Sequence, residues 1–457
     1  MLINVSGSSG VGKTTISTII SLILSNLNRG VLHLCGDDLH KWERGNENWK
    51  TITHLNPEAN NLDLGYKQIT SLLLGKTVKR DHYDHNTGKF IKNVEIQPKE
   101  ILINEGLHSL HSKNICKKAD LNIFVETENE LKYQWKLNRD TEKRGYTKSQ
   151  VINAINLRKE DEIKYIEPQK ENANVIVKFS EKRDKSVHLT YTTTTEYGET
   201  IMRRVKDFYE LHRNFLLTCR KSCFEYELIQ GAGGNLSYKF EDRVVITSSG
   251  RAMSDINILN GFSVCNSKGS PINDEQRRPS MEVGFHTKIK DRIVYHTHPI
   301  YLNVILCAKN SKNIINNILD LYEYDYIPYY SPGKDLCDNF YKSVDKKIVL
   351  LENHGLICCG DSFKEVFDLS LKINQLCKEW LITNSKTFKT FNTKLKKKES
   401  DCFLFPDAAV LPSDNLQINN YILHIQEEVG LEPNCLTKEE IIKLQNMEAE
   451  KYRMKLI

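Results

Sequence analysis

The sequence has little that would direct the chain to a membrane or to a nucleic acid. The apolar run at residues 16–27 is interrupted by serine and is too short to span a bilayer. The formal net charge at pH 7 is only +5, from 64 basic and 59 acidic residues. This small basic excess suits anionic small substrates or an ordinary solvated surface equally well. We therefore expect no nucleic-acid partner and no membrane partner.

The cysteines lack the regular spacing of a disulfide framework. All 12 are scattered, no CxxC pair is repeated, and Cys358 and Cys359 are adjacent inside an apolar run. The chain begins directly with a strand-like segment and a glycine loop, which leaves no room for a signal peptide. These features predict reduced thiols and a cytoplasmic location.

No internal repeat and no linker rich in glycine, serine or proline divides the 457 residues. A chain of this length is nevertheless too long for one core and predicts two or three domains. Near Tyr197 an alternating pattern gives way to a helical pattern, which predicts domains at residues 1–200 and 201–457. The basic run at residues 394–398 is typical of a solvated surface.

The first chemical signal is a glycine loop between two apolar segments, predicted as a strand at residues 2–5 and a helix at residues 16–27. The loop reads Gly7-Ser8-Ser9-Gly10-Val11-Gly12-Lys13-Thr14-Thr15. Its glycines allow successive backbone NH groups to face a polyphosphate at the positive end of the helix. Lys13 would reach the β and γ phosphates, and Thr14 would reach Mg²⁺. The pattern predicts a nucleotide site.

A second predicted strand, residues 31–34, leads to Asp37 and Asp38. The carboxyl ends of parallel strands face the ligand crevice, so Asp37 is our candidate base for a substrate hydroxyl that attacks the γ phosphate. Taken alone, the segment allows equally that either aspartate only caps the next helix.

Further segments give the first half a family resemblance. They are Gly36 to Arg44, Tyr83 to Gly88, Glu105 to His108, Leu131 to Gly145, and Arg158 to Lys170. With the glycine loop, they resemble phosphoribulokinase and, more distantly, uridine kinase. Asp38 and Leu39 stand where this family has small and aromatic residues.

The resemblance implies a P-loop kinase domain with a parallel sheet that uses ATP and Mg²⁺, with Asp37 as the base and Glu105 near the Mg²⁺. Implied nucleotide contacts are Gly7, Ser8, Ser9, Gly10, Gly12, Lys13, Thr14, Thr15 and two lid arginines, Arg139 and Arg144. Implied sugar or sugar phosphate contacts are His40, Arg44, Tyr83 and His85. The two arginines are otherwise explained as surface charges of a helix.

The second chemical signal is a pair of histidines, His296 and His298, in the predicted strand at residues 293–299. Alternate side chains of a strand share a face, so both imidazoles can bind one metal ion. His354 ends another apolar run and offers a third ligand. Three neutral imidazoles with an open position are typical of a catalytic zinc, although strand histidines alone are more often surface or core residues.

Polar segments at residues 233–237, 247–250 and 279–282 accompany these histidines. Together they resemble the class II aldolase and adducin family, which implies an α/β/α domain. The resemblance implies Zn²⁺ ligands His296, His298 and His354, the proton-transferring Glu282, and phosphate contacts Asn235, Ser249, Gly250 and Ser280. Met281 stands where the family has a phosphate-binding serine. The resemblance further implies a homo-oligomer, a tetramer formed through this domain, in which a neighbouring subunit often adds a tail residue to the site.

We therefore expect a bifunctional α/β protein that acts on small phosphorylated sugars. One domain would phosphorylate a hydroxyl of a sugar, sugar phosphate or nucleoside, and the other would cleave a sugar phosphate by a zinc-dependent retro-aldol reaction. Zinc enolate chemistry equally serves a pentulose-phosphate 4-epimerase, a decarboxylase or a dehydratase. A further alternative is that one half is a regulatory or oligomerising module without activity.

Overall fold

The computed structural model describes residues 1–25, 30–142, 144–231, 233–272, 277–340, 346–385, 402–411 and 414–456. The predicted solvated run at residues 394–398 lies outside these ranges. Within them, no helix is both long enough and apolar enough to cross a membrane. The chain divides into two compact units, Met1–Glu210 and Leu211–Ile457.

The first unit contains eight described strands and six described α-helices, the last of which continues past the division. The strands are β1 Leu2–Ser6, β2 Val31–Cys35, β3 Val78–Asp84, β4 Lys89–Ile96, β5 Ile101–Glu105, β6 Leu121–Thr127, β7 Val175–Glu181 and β8 Val187–Thr193. The helices are α1 Lys13–Leu24, α2 Leu62–Leu73, α3 Lys113–Lys118, α4 Asn129–Glu142, α5 Lys148–Asp161 and α6 Glu196–Phe224.

Six of these strands form one sheet in the order β2-β5-β1-β6-β7-β8. Every neighbouring pair is parallel except β7 and β8, which form an antiparallel hairpin at the edge. All five residues of β1 are buried, as expected for a central strand covered on both faces. The parallel sheet predicted for this half is confirmed, and it places the ends of β1, β2 and β5 side by side.

The second unit contains seven described strands. They are β9 Asn235–Phe240, β10 Arg243–Thr247, β11 Phe262–Cys265, β12 Ile293–Thr297, β13 Asp325–Ile327, β14 Ile348–Leu351 and β15 Gly355–Gly360. Its further described α-helices are α7 Val283–Lys288, α8 Ile300–Leu306, α9 Ser311–Ile318, α10 Lys334–Asn339, α11 Phe363–Asn384, α12 Pro406–Val410, α13 Asp414–Val429, α14 Lys438–Asn446 and α15 Glu448–Met454.

These strands form one sheet in the order β11-β10-β9-β12-β15-β14-β13, with helices packed against it. Only β13 and β14 are parallel among the described pairs. The central strand β12 pairs with β9 and β15, so that His296 lies opposite Asn235 on one side and Ile357 on the other. The sheet therefore brings two of the predicted polar segments next to the predicted metal ligands.

The described residues 402–411 and 414–456 are called the C-terminal segment here. This segment contains a disulfide between Cys402 and Cys435, whose Cα atoms are 5.2 Å apart. The expectation of reduced thiols is wrong for this pair, because packing of the segment brings together two cysteines separated by 33 residues. The other ten cysteines are free thiols.

Candidate active sites

The glycine loop lies between β1 and α1 and folds around left-handed backbone angles. Gly10 and Gly12 have φ angles of 88° and 92°, in the region that favours glycine. At Gly7 a Cβ atom would lie only 2.2 Å from the carbonyl oxygen of Val125. Larger residues are therefore excluded from the start of the loop, which packs directly on β6.

Lys13 closes this loop on itself. Its Nζ donates hydrogen bonds to the carbonyls of Gly7 and Ser8, at 2.9 and 2.7 Å. Burial lowers the pKa of Lys13, although Glu105 and Asp37 oppose the shift by favouring the charged form. The ammonium is thus held inside the ring of backbone groups that would surround a polyphosphate.

Glu105, at the end of β5, accepts hydrogen bonds from two hydroxyl groups of α1. Thr14 donates to one carboxylate oxygen at 2.7 Å, and Ser17 donates to the other at 2.6 Å. A carboxylate and a loop threonine in contact are the groups that hold Mg²⁺ in nucleotide sites of this type. The structure thus brings Lys13, Thr14 and Glu105 together. Ser17, one turn beyond Thr14, was not predicted from the sequence. Thr15 follows Thr14 on the same first turn of the helix.

Asp37 and Asp38, which the sequence could not separate, have different surroundings. Asp38 is buried and accepts hydrogen bonds from the Arg80 side chain at 3.1 Å and from the Tyr83 backbone at 2.9 Å. The Asp37 side chain is 31% exposed and lies 3.6 Å from His40 and 3.5 Å from His85. Asp38 therefore fixes the position of β3, whereas Asp37 stays available to a ligand.

The pKa of Asp37 agrees with its availability to a ligand. Burial raises the pKa, but His40, His85 and Lys13 outweigh the burial, and the net result is a lowered pKa. Asp37 is therefore ionised at neutral pH and can accept a proton.

The predicted sugar contacts divide into two kinds. His40, Tyr83 and His85 form one group of rings, with centroids 5.5 Å apart for the first pair and 5.2 Å for the second. Arg44 instead donates to the His85 carbonyl at 2.6 Å and packs against Gly88, so in this structure it braces the β3–β4 turn. The lining of a pocket next to the rings includes Asp37, His40, Asn60, Asn104, His108 and Ser109, of which Asp37 and His40 were predicted as site residues.

The predicted lid arginines lie around one carboxylate, Asp140. Arg139 Nε is 2.9 Å from it and Arg144 is 3.4 Å from it, and Arg139 also donates to Ser9 of the glycine loop at 3.3 Å. Lys136, which was missed, is buried between Asp140 and Ser9, 3.3 Å from each. Three cationic side chains thus lie around one carboxylate beside the loop. This excess of positive charge suits a polyphosphate.

The second site is built from the end of β12 and the turn between β14 and β15. His296, His298 and His354 are 0%, 8% and 4% exposed, and each offers a ring nitrogen within 4.8 Å of those of the other two. Burial lowers the pKa of His296 and of His354 to about 3. These imidazoles are therefore neutral at physiological pH, which is the form that binds a metal ion.

The hydrogen bonds of these rings fit a bound cation. His296 Nδ1 lies 3.0 Å from the Leu356 carbonyl, which can only accept, so the proton is on Nδ1 and the lone pair is on Nε2. That Nε2 lies 3.0 Å from the Nε2 of His298. His354 Nδ1 is buried without a hydrogen-bond partner. Three converging imidazoles of this kind are a typical catalytic zinc set.

Glu282 lies beside these histidines. Its carboxylate oxygens are 3.5 Å from His296 Nε2 and 3.4 Å from His354 Nε2, and it accepts a hydrogen bond from Asn235 at 2.8 Å. Glu282 immediately precedes the first residue of α7 and is 5% exposed. A buried carboxylate at this distance can ligate a metal ion or transfer a proton to a bound substrate.

The predicted phosphate residues share one pocket with these groups. Its lining includes Asn235, Ser249, Gly250, Ser280, Met281, Glu282, His298 and His354. Asn235 also donates to Ser280 at 3.2 Å. His286, which was missed, lies within hydrogen-bonding distance of Ser237 and of the Asn235 side-chain oxygen, and so fixes the Asn235 amide.

Two residues of the C-terminal segment line the same pocket, Asp407 and Arg453. Neither could be predicted from the sequence, because they are more than 40 residues apart and far from the motifs. Both come from this chain. The tail residue from a neighbouring subunit that the resemblance implies stays an expectation.

These two sites and folds define a chain that joins a P-loop kinase domain to a class II aldolase-type domain. Residues 2–186 match the Phosphoribulokinase / Uridine kinase family. Residues 214–381 match the Class II Aldolase and Adducin N-terminal domain. The chain therefore matches both families, one in each half, as the sequence motifs predicted.

Curated relatives match the first half. The phosphoribulokinase of Synechocystis is 34% identical over 177 residues, which covers 39% of this chain and 53% of that protein. The chloroplastic phosphoribulokinase of Spinacia oleracea is 36% identical over 144 residues, which covers 32% of this chain and 36% of that protein. The chain thus spans about half or less of the length of these relatives.

Solved structures resemble each half. The N-terminal class II aldolase domain of a Thermoplasma acidophilum protein has a TM-score of 0.34 and 21% identity, covering 37% of this chain and 92% of that one. The phosphoribulokinase of Rhodobacter spheroides has a TM-score of 0.36 and 23% identity, covering 43% of this chain and 81% of that one.

Proposed function

We propose that the protein is a bifunctional enzyme of sugar phosphate metabolism. The first domain transfers the γ phosphoryl group of ATP to a hydroxyl of a sugar or sugar phosphate. The second domain cleaves a carbon–carbon bond of a sugar phosphate in a zinc-dependent retro-aldol reaction. The observation that carries the proposal is that each site places a carboxylate, Asp37 or Glu282, beside the groups that would hold the reacting phosphate or carbonyl.

In the kinase reaction, the chain supplies position and charge. Lys13 and the loop NH groups hold the β and γ phosphates, while Thr14 and Glu105 would hold Mg²⁺, which would neutralise phosphate charge. Asp37 accepts the proton of the attacking hydroxyl, whose sugar lies against His40, Tyr83 and His85. Arg139, Arg144 and Lys136 stabilise the charge on the transferred group.

In the cleavage reaction, His296, His298 and His354 would hold Zn²⁺, which would polarise the substrate carbonyl and stabilise the negative charge formed as the bond breaks. As the carbon–carbon bond breaks, the adjacent hydroxyl becomes the carbonyl of one product and gives its proton to Glu282, which delivers the proton to the carbon that the bond leaves. Asn235 holds the Glu282 carboxylate by its 2.8 Å hydrogen bond. Ser249, Gly250 and Ser280 receive the substrate phosphate through hydroxyl and backbone donors. Met281 contributes no donor there.

The same arrangement serves an epimerase, a decarboxylase or a dehydratase in the second domain. To decide among these reactions, the purified protein is incubated with ATP, Mg²⁺, Zn²⁺ and a panel of pentuloses, hexuloses and their phosphates, with products identified by mass. Two fragments from one sugar phosphate support cleavage. A product of unchanged mass that chromatography separates from the substrate supports epimerisation, and loss of carbon dioxide or water supports the other two reactions. No product from any substrate contradicts the proposal.

Asp37→Asn is expected to lower the rate of phosphoryl transfer by about 10² to 10⁴ while ATP affinity stays nearly unchanged, because only the proton acceptor is lost. Asp38→Asn is the matched control. It leaves the buried Arg80 without its carboxylate partner, so we expect a lower unfolding temperature but a much smaller loss of turnover. Steady-state kinetics and thermal unfolding of both variants test this. Normal turnover in Asp37→Asn with a collapse in Asp38→Asn would reverse our assignment of the base.

Glu282→Gln is expected to keep most of the zinc, because the three histidines remain, and to block the proton transfer in cleavage. ATP-dependent phosphorylation by the same variant should equal that of the wild type. Zinc content by elemental analysis and both activities are measured on one preparation. Cleavage at the wild-type rate would exclude Glu282 as the proton-transferring group.

A further inference from the structure

Asp407, a residue of the C-terminal segment, reaches the proposed metal ligands. It lies on the short helix α12 and is 3% exposed. One carboxylate oxygen, Oδ2, is 3.4 Å from Nδ1 of His298. The other, Oδ1, accepts a hydrogen bond from Arg453 at 3.1 Å.

The tautomer of His298 matters because its Nε2 faces the Nε2 of His296 at 3.0 Å. His296 already carries its proton on Nδ1, toward the Leu356 carbonyl. If His298 also carries its proton on Nδ1, toward Asp407, both Nε2 atoms present lone pairs to the same point. A cation at that point is then bound by both rings, and the lone pairs no longer repel each other.

We propose that Asp407 is a positioning residue for zinc, holding His298 with its proton on Nδ1 and its Nε2 free for the metal. The inference rests on the proposed zinc site of the second domain. Arg453 assists by binding Oδ1, which leaves Oδ2 directed at the imidazole. Glu450 in turn accepts two hydrogen bonds from Arg453, at 3.1 and 3.0 Å, and fixes the guanidinium.

The segment that carries Asp407 is attached to the turn that carries His354. The Asn353 amide donates to the carbonyls of Leu404 and Asn434, at 2.7 and 2.5 Å. The disulfide between Cys402 and Cys435 joins the stretch that contains Leu404 to the stretch that contains Asn434. The C-terminal segment therefore adds its carboxylate to the site of its own chain.

The test is zinc affinity, measured at fixed pH by competition with a chelating zinc indicator on the full-length protein. Asp407→Asn is expected to weaken zinc binding by about 10- to 100-fold, the usual effect of losing a carboxylate that orients a metal-binding histidine. Asp407→Glu keeps a carboxylate and should recover part of the loss. Asp335→Asn is the control, because it removes an ion pair with Lys443 of the same segment and should leave zinc affinity unchanged.

The outcomes separate this inference from the proposed function. Unchanged zinc affinity in Asp407→Asn, together with loss of zinc in His298→Ala, overturns the role of Asp407 and leaves the zinc site intact. Absence of zinc binding in the wild type overturns the proposed function itself. If thermal unfolding shows that Asp407→Asn does not fold, zinc affinity is measured in Arg453→Gln instead. Severalfold weaker zinc binding in that variant supports the inference, and wild-type affinity contradicts it.

Discussion

Lys13→Ala is expected to reduce phosphoryl transfer by at least about 10³-fold. Within the described loop, Lys13 supplies the point charge for the β and γ phosphates, and catalysis of phosphoryl transfer consists almost wholly of positioning and charge stabilisation. The fold should survive, because Lys13 Nζ bonds to carbonyls of its own loop rather than to a distant element. Product formation from labelled ATP measures the loss.

Lys170→Ala is the matched control for this prediction. Lys170 pairs with Glu126 at 2.6 Å in the same domain and is half-exposed, so its loss removes one positive charge from a partly exposed ion pair. Surface ion pairs contribute little to stability, and we expect wild-type transfer and unfolding temperature. Comparable transfer in Lys13→Ala and Lys170→Ala would show that the loop does not hold the reacting phosphates.

His296→Ala is expected to abolish both zinc binding and cleavage in the second domain. The wild type should contain about one zinc ion per chain, since three histidines form a complete set for a catalytic ion with an open position. His296 lies at the centre of the set, contacting His298 at 3.0 Å and Glu282 at 3.5 Å. Two remaining imidazoles are too few to retain the ion through purification. Elemental analysis gives the result.

His424→Ala controls for the loss of any histidine. His424 is 45% exposed on α13 and pairs with Glu428 of its own helix, so its removal should leave zinc content and cleavage unchanged. A metal content that survives in His296→Ala would place the ion elsewhere. The histidines would then be ordinary core residues packed at the end of β12.

The parts of both sites that the sequence predicted are those in which neighbouring residues set the geometry. The glycine loop needs only a strand before it and a helix after it, and the pattern contains both. His296 and His298 share a face because β12 is a strand, whatever surrounds it. The histidines and the loop could thus be assigned without knowledge of the fold.

Residues that depend on packing between distant segments could not be predicted. Asp407 and Arg453 reach the second pocket only because α12 and α15 fold back on it. Lys136 is one of two lysines on α4, and only the folded structure shows that it lies beside Ser9. Asp37 and Asp38 are equivalent in the sequence, and only the contacts of Arg80 and Tyr83 tell them apart. The domain boundary was obscure because α6 continues through it as one helix.

The central claim is that one chain carries two chemically separate sites, and product analysis of two variants tests it most directly. Wild type, Lys13→Ala and His296→Ala are each incubated with the same panel of sugars and sugar phosphates, with ATP, Mg²⁺ and Zn²⁺, and products are identified by mass. We predict that the wild type forms both phosphorylated and cleaved products, that Lys13→Ala loses only phosphorylation, and that His296→Ala loses only cleavage. Loss of both activities in either folded variant, or neither activity in the wild type, would contradict the account.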